Sequence, residues 1–267
     1  MGRLQGKIAL VTGAAQGIGA EIARLMVQEG ATVWVTDVQD KLGQELAKSL
    51  GPSARYVHLA VEDEVQWQAI AQKIQQNHHR LDILVNNAGV IGLSDNEKHD
   101  PEYASLSGWR HVHTINLDGV FLGCKTAIGL MKKQGGSIVN ISSRSGMVGV
   151  PGACAYASSK AAVRNHTKSV ALYCAQNGYN IRCNAVMPGA ILTPLWAPML
   201  GETPEQQEAV LNHIAADIPL KRMGQPIDVA YAVVYLASEE SGYVTGAELN
   251  IDGGILAGST AAPQKSE

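Results

Sequence analysis

Short runs rich in Val, Ile and Leu alternate along the chain with longer stretches whose apolar residues recur every three or four positions. The short runs fall at 8–12, 32–37, 55–59, 81–86, 136–142, 180–186 and 247–251. They are near-continuous apolar runs, as expected of strands covered on both faces. Helical spacing fills the gaps at 17–29, 41–50, 64–78, 109–133, 156–177 and 227–238. This alternation predicts an α/β protein, a doubly wound, Rossmann-type parallel sheet of seven strands with helices on both faces. Only 190–216 breaks the rhythm. Its proline-rich start and its apolar Leu195, Trp196, Met199 and Leu200 predict a flexible lid over a pocket. No repeat, charge block or low-complexity linker divides the 267 residues. A single domain is therefore expected, ending in a frayed tail at 259–267.

Charge and composition narrow the function without naming it. A net charge of -3 and a pI near 6.2 leave no basic footprint for nucleic acid. No apolar run reaches the roughly 18–20 residues of a membrane span. The N-terminal residues lead into the first strand with no signal-peptide pattern, and Gly6 stands where a myristoylation signal needs Ser or Thr. Cys124, Cys154, Cys174 and Cys183 have neither CxxC nor zinc spacing. They predict no metal site, and reduced thiols in a cytoplasmic protein.

Two stretches carry chemistry. The first is Thr12-Gly13-Ala14-Ala15-Gln16-Gly17-Ile18-Gly19, between a strand and a helix. In that setting Gly13 permits a sharp turn, Gly17 lets backbone approach a pyrophosphate, and Gly19 allows close helix packing. The helix N-terminus adds free N–H groups and the positive end of its dipole. Asp37, at the end of the second strand, can accept hydrogen bonds from an adenosine ribose diol and repel a 2′-phosphate. Its neighbours Gln16 and Val38 are not basic, so the site reads as one for NAD rather than NADP. The second stretch is Tyr156-Ala157-Ser158-Ser159-Lys160. Residues four apart share a helix face, and a nearby ammonium lowers a phenol's pKa toward useful proton transfer. Proton transfer beside a dinucleotide is alcohol–carbonyl redox chemistry.

Further motifs complete a pattern. They are Asn86-Asn87-Ala88-Gly89, Asn116 in Thr114-Ile115-Asn116-Leu117, Ser143 in Asn140-Ile141-Ser142-Ser143, and Pro188-Gly189-Ala190-Ile191-Leu192-Thr193. With these the chain resembles a short-chain dehydrogenase/reductase of the single-domain type of about 250 residues, from Gly6 to about Gly254. The resemblance implies strand order 3-2-1-4-5-6-7 and catalysis by Ser143, Tyr156 and Lys160, with Asn116 holding a water that links Lys160 to solvent. Ser142, one position earlier on the strand, should point the other way. The resemblance also assigns Ile18, Asn87, Gly89, Pro188, Gly189, Ile191 and Thr193 to the cofactor site. Lys160 would hold the nicotinamide ribose, Thr193 would contact the carboxamide, and Gly89 would lie on the adenosine side. One departure concerns adenine. Where the family often has Asp-Val, this chain has Ala60-Val61, so a backbone contact at Val61 is expected, with Asp63 as a helix cap.

Ser143, Ser145, Met147, Tyr156, Leu195 and Trp196 are the expected substrate contacts, with Val150, Cys154, Ile191, Met199 and Leu200 as further wall. Mostly apolar, they suit a hydrophobic secondary alcohol or ketone, and similar sequences include NAD-dependent hydroxysteroid and cyclic-alcohol dehydrogenases. Wall residues of this kind equally pack a lid. The alternatives are a 3-oxoacyl thioester reductase, for which only Arg144, Lys221 and Arg222 offer charge, and a non-catalytic dinucleotide sensor. The resemblance also implies a homotetramer, or at least a homodimer, with Ala161, Ala162, Val163, Val170, Ala171 and Cys174 facing a symmetry mate.

Overall fold

A computed structural model of the protein describes residues 2–92 and 98–258; the tail at 259–267 lies outside the described residues. The strands are β1 Ile8–Thr12, β2 Thr32–Asp37, β3 Ala54–His58, β4 Ile83–Asn86, β5 Gly136–Ile141, β6 Ile181–Pro188 and β7 Glu248–Ile251. They form one parallel sheet in the order β3-β2-β1-β4-β5-β6-β7. The order reverses between β1 and β4, and a crevice opens at the carboxyl ends of the strands there.

The helices are α1 Gly17–Gln28, α2 Asp40–Leu50, α3 Glu64–His78, α4 Leu106–His113, α5 Gly119–Met131, α6 Cys154–Gln176, α7 Pro204–Ala216 and α8 Pro226–Ala237. Strand period two sorts the core into two layers. Ala9, Val11, Val33 and Val35 face one way and pack with Ile22, Met26, Val229 and Val233 of α1 and α8. Ile8, Leu10 and Trp34 face the other way, against Trp67, Ile70, Val120, Met131 and Val163 of α3, α5 and α6.

The structure departs from the sequence reading in three places. The helix expected at 109–133 starts at Leu106, where Ser105 caps it through Gly108 N (3.0 Å), and Thr114–Asp118 forms a π-helical turn within it. The 190–216 segment is built from a 3₁₀ turn at Pro194–Met199 and the helix α7. That helix escapes a search for periodicity because none of its residues is buried; its Thr203/Gln206 capping box was the available signal. Third, Val163, Val170, Ala171 and Cys174 are buried in their own subunit's core. They cannot form the contact surface expected of them. No described helix is long and apolar enough to cross a membrane.

Candidate active site

The site begins where β1 hands over to α1. Gly13 has φ +59, and a Cβ there would lie 2.6 Å from Ala88 Cα, so only glycine lets this turn pass the exit of β4. Gly19 lies beneath the turn, and a Cβ on it would come within 2.3 Å of the Gly13 carbonyl oxygen. Gln16 precedes α1 in an extended conformation and places no side-chain bond across the helix start. Asn87 ties β4 to the turn, donating from Nδ2 to Thr12 O (3.0 Å) and Gly13 O (2.9 Å). Thr12 Oγ1 answers by accepting from the amides of Asn87 and Ala88.

Asp37 is buried at the crevice edge. Its Oδ2 accepts from Ala15 N and its Oδ1 from Gln39 N, both at 3.0 Å. A carboxylate has about four acceptor positions, so two remain for a diol. Tyr56, unremarked in the sequence, donates to the Asp37 carbonyl (2.7 Å) and fixes the end of β2. Val61 is also at the crevice, but its carbonyl is taken by Trp67 Nε1 (2.8 Å), so an adenine contact there falls to its N–H. Asp63 is the expected cap, accepting from Val65 N and Gln66 N.

At the other end, α6 brings Tyr156 and Lys160 to the end of β5. Ser142 and Ser143 both border the crevice, but the Ser142 hydroxyl is committed to Lys160 O (2.7 Å), while Ser143 Oγ accepts from Ser145 N (3.1 Å). Lys160 is 3% exposed; its Nζ donates to Ile141 O (3.0 Å) and stands 5.8 Å from the Tyr156 ring centroid. Burial pulls the lysine pKa down to about 8. Burial also pushes the Tyr156 pKa up, against a smaller downward pull from the Ser143 hydroxyl. The lowering by Lys160 expected from sequence therefore has desolvation to overcome.

The π turn carries Asn116 inward, where it is fully buried. Its Oδ1 accepts from Val90 N (2.8 Å), and its Nδ2 donates to Val90 O (2.9 Å) and Ser159 Oγ (3.1 Å). It stands behind the crevice wall rather than in it. A Cβ on Gly89 would lie 3.1 Å from Asn116 Oδ1 and 3.2 Å from Lys160 Nζ. Gly89 thus belongs to the Lys160 end, contrary to the adenosine side expected for it.

One cleft of about 590 Å³ joins the two ends. It is lined by Gly13, Gln16, Gly17, Ile18, Asp37, Val61, Asn87, Gly89, Ser143, Ser145, Tyr156, Lys160, Pro188, Gly189, Ile191, Thr193, Leu195 and Trp196. Val150 and Met199 line it as expected. Met147 does not: its N–H closes the 3₁₀ turn Arg144–Gly146 on Arg144 O, and its side chain leaves for solvent, 39% exposed. Cys154 and Leu200 are likewise not in the wall. Sequence reasoning missed Leu59, Val90 and Ile91, which lack any motif, and Ile115, which it quoted only as the neighbour of Asn116, and it read Arg144 only as a charge.

Residues 13–256 match the family whose model is described as enoyl-(acyl carrier protein) reductase. The chain is 42% identical to a 3-alpha-(or 20-beta)-hydroxysteroid dehydrogenase of Mycobacterium tuberculosis, over 96% of this chain and 92% of that protein. It is 40% identical to a cyclopentanol dehydrogenase of Comamonas testosteroni, over 96% of this chain and 100% of that protein. It is 39% identical to an NADP-dependent (R)-specific alcohol dehydrogenase of Lentilactobacillus kefiri, over 96% and 98% of the two chains.

Proposed function

Because the chain belongs to the short-chain dehydrogenase/reductase family, oxidoreductases that bind a nicotinamide dinucleotide, we propose that it transfers a hydride between NAD(H) and a hydrophobic secondary alcohol or its ketone. The observation that carries this reading is one cleft with a glycine-built helix entrance and a free-edged Asp37 carboxylate at one end, and Ser143, Tyr156 and Lys160 at the other. The residues fit the cofactor: the turn leaves a cradle that a Cβ on Gly13 or Gly19 would disrupt, and Asp37 keeps acceptor capacity, with no cation paired to it among the described residues. Gly13, Gln16, Gly17 and Ile18 would hold the pyrophosphate, Asp37 the adenosine ribose, and Pro188, Gly189, Ile191 and Thr193 the nicotinamide end. When bound, NAD supplies the hydride acceptor for alcohol oxidation.

The chain's own residues do the rest. Ser143 hydrogen-bonds the substrate oxygen as charge develops on it. Tyr156 takes the hydroxyl proton in oxidation and returns it in reduction. Lys160, desolvated beside the phenol, favours the phenolate, and Asn116 holds the backbone of Val90 against this end of the cleft. The apolar wall of Val150, Leu195, Trp196 and Met199 suits a hydroxysteroid or a cyclic alcohol. A thioester reductase would want a cationic rim, but Lys221 is spent on Ala216 O and Arg222 on Asp228, which leaves Arg144 alone of the three rather than a cluster.

The test is absorbance at 340 nm with NAD and a panel of cyclic and steroid alcohols. NADH formation that disappears in Tyr156→Phe supports the reading; no formation with any secondary alcohol sinks it. The four free thiols suit a reducing cytoplasm. Exposed Phe121, Leu172 and Tyr173 on α5 and α6, and Tyr231, Tyr235 and Tyr243 on and after α8, are the surfaces we assign to a homotetramer.

A further inference from the structure

We infer that Arg144 reads the substrate, and that the alcohol taken by this cleft carries a carboxylate; the inference rests on the oxidoreductase reading above. Arg144 directly follows Ser143, opens the 3₁₀ turn Arg144–Gly146 and lines the cleft. It is half-buried, yet its guanidinium makes no hydrogen bond or ion pair with any described residue. Other partly buried guanidinium groups in this protein are matched: Arg3 by Glu29, Arg164 by Glu248, and Arg182 by the carbonyls of Leu236 and Ser238. A partly buried cation without a protein partner costs free energy. Arg144 is built as though its partner arrives from outside.

The cleft's other charges do not supply that partner. Lys160 shares its sign and is held by Ile141 O. The acids in the wall, Asp37 and Glu62, belong to the end of β2 and the loop after β3. From β2 to β5 is three strand spacings, about 14 Å. The helix entrance that suits the pyrophosphate follows β1, two spacings or about 10 Å from β5. Arg144 therefore stands at the alcohol end, next to Ser143 in the chain and in the same cleft wall as the apolar Leu195 and Trp196. A ligand matching all three features has a secondary hydroxyl, an apolar body and an anionic end. The planar guanidinium fork fits a carboxylate bidentately.

The test uses the whole enzyme with NAD and matched pairs of alcohols, each a carboxylate and its neutral primary amide. One pair is built on cyclohexanol and one on a 3-hydroxysteroid with a side-chain acid. Wild type should favour the acid over the amide by about tenfold or more in kcat/KM on at least one scaffold. That ratio should fall about tenfold in Arg144→Gln, partly recover in Arg144→Lys, and shrink with added salt. Taking the ratio cancels any general damage from the substitution. Calorimetric titration of the same hydroxy acids into enzyme saturated with NADH, which cannot accept their hydride, gives a second readout that needs no turnover. Acid binding at least tenfold tighter to wild type than to Arg144→Gln supports the inference even if the hydride-transfer reading fails. An acid-to-amide ratio equal in wild type and Arg144→Gln on both scaffolds, with equal or undetectable acid binding, overturns it. Weakening of NAD binding alone in Arg144→Gln also overturns it, since Arg144 would then serve the cofactor.

Discussion

Replacing Lys160 with Met should stabilise the protein while abolishing turnover. Lys160 is 3% exposed, and burial brings its pKa from 10.5 to about 8. That displacement corresponds to about 3 kcal/mol of unfavourable burial of the charged form at neutral pH. Against it stands the hydrogen bond from Nζ to Ile141 O (3.0 Å), whose loss leaves a carbonyl unpaired at a cost of about 1–2 kcal/mol. A Met of similar length fills the space without a cavity, so a net gain of about 1–2 kcal/mol is expected, or roughly 2–8 °C in Tm. The pH dependence has a definite sign. Between about pH 8 and 10.5 the unfolded chain binds a proton at Lys160 that the folded chain does not, so stability rises with pH through that window. Below about 8 both states carry the proton and the full penalty remains. The gap between Lys160→Met and wild type should therefore be widest at pH 7 and close toward pH 10. Urea melts of both proteins without nucleotide, at pH 7 and pH 10, measure it. A variant that unfolds more easily than wild type at pH 7, or a gap that does not shrink, would refute the reasoning.

Asp37, with no cation paired to it among the described residues, should give NAD at least about a 100-fold advantage over NADP in kcat/KM, roughly 2.7 kcal/mol. Equal efficiencies would contradict this, and Asp37→Ser with Val38→Arg, at a side chain 57% exposed, should narrow or reverse it. Tyr156→Phe should lower kcat by about 10³ or more while NAD affinity measured by titration stays within about threefold; retention of a tenth of the activity rules out proton transfer by Tyr156. Because burial raises the Tyr156 pKa, alcohol oxidation in initial-rate assays should speed up as pH rises through neutrality; a rate that falls over pH 6–9 would contradict a phenolate base. Light scattering should give a mass near four times 28.3 kDa; a monodisperse monomer at micromolar concentration would refute assembly through the exposed aromatic faces.

Local chemistry was enough for the sequence to determine the strand–helix order, the glycine turn and the Tyr156–Lys160 pair. Each of these depends on residues within one or two turns of each other: the period of apolar side chains, φ above zero at Gly13 and Gly17, and the shared face of positions four apart. Tertiary structure decided what faces what. Val163 and Cys174 turn into their own core because β6 and α5 lie beneath α6. Met147 leaves the cleft because a 3₁₀ turn closes one residue before it. Asn116 points inward only because a π turn shifts its register, and α7 forms without burying any of its residues. The grip of Ala15 on Asp37, the burial that moves the pKa values of Lys160 and Tyr156 in opposite directions, and the absence of a described partner for the Arg144 charge all depend on how separate strands and helices pack. Their proximity comes from the order of strands in the sheet, and desolvation is a property of the packed assembly that no window along the chain contains.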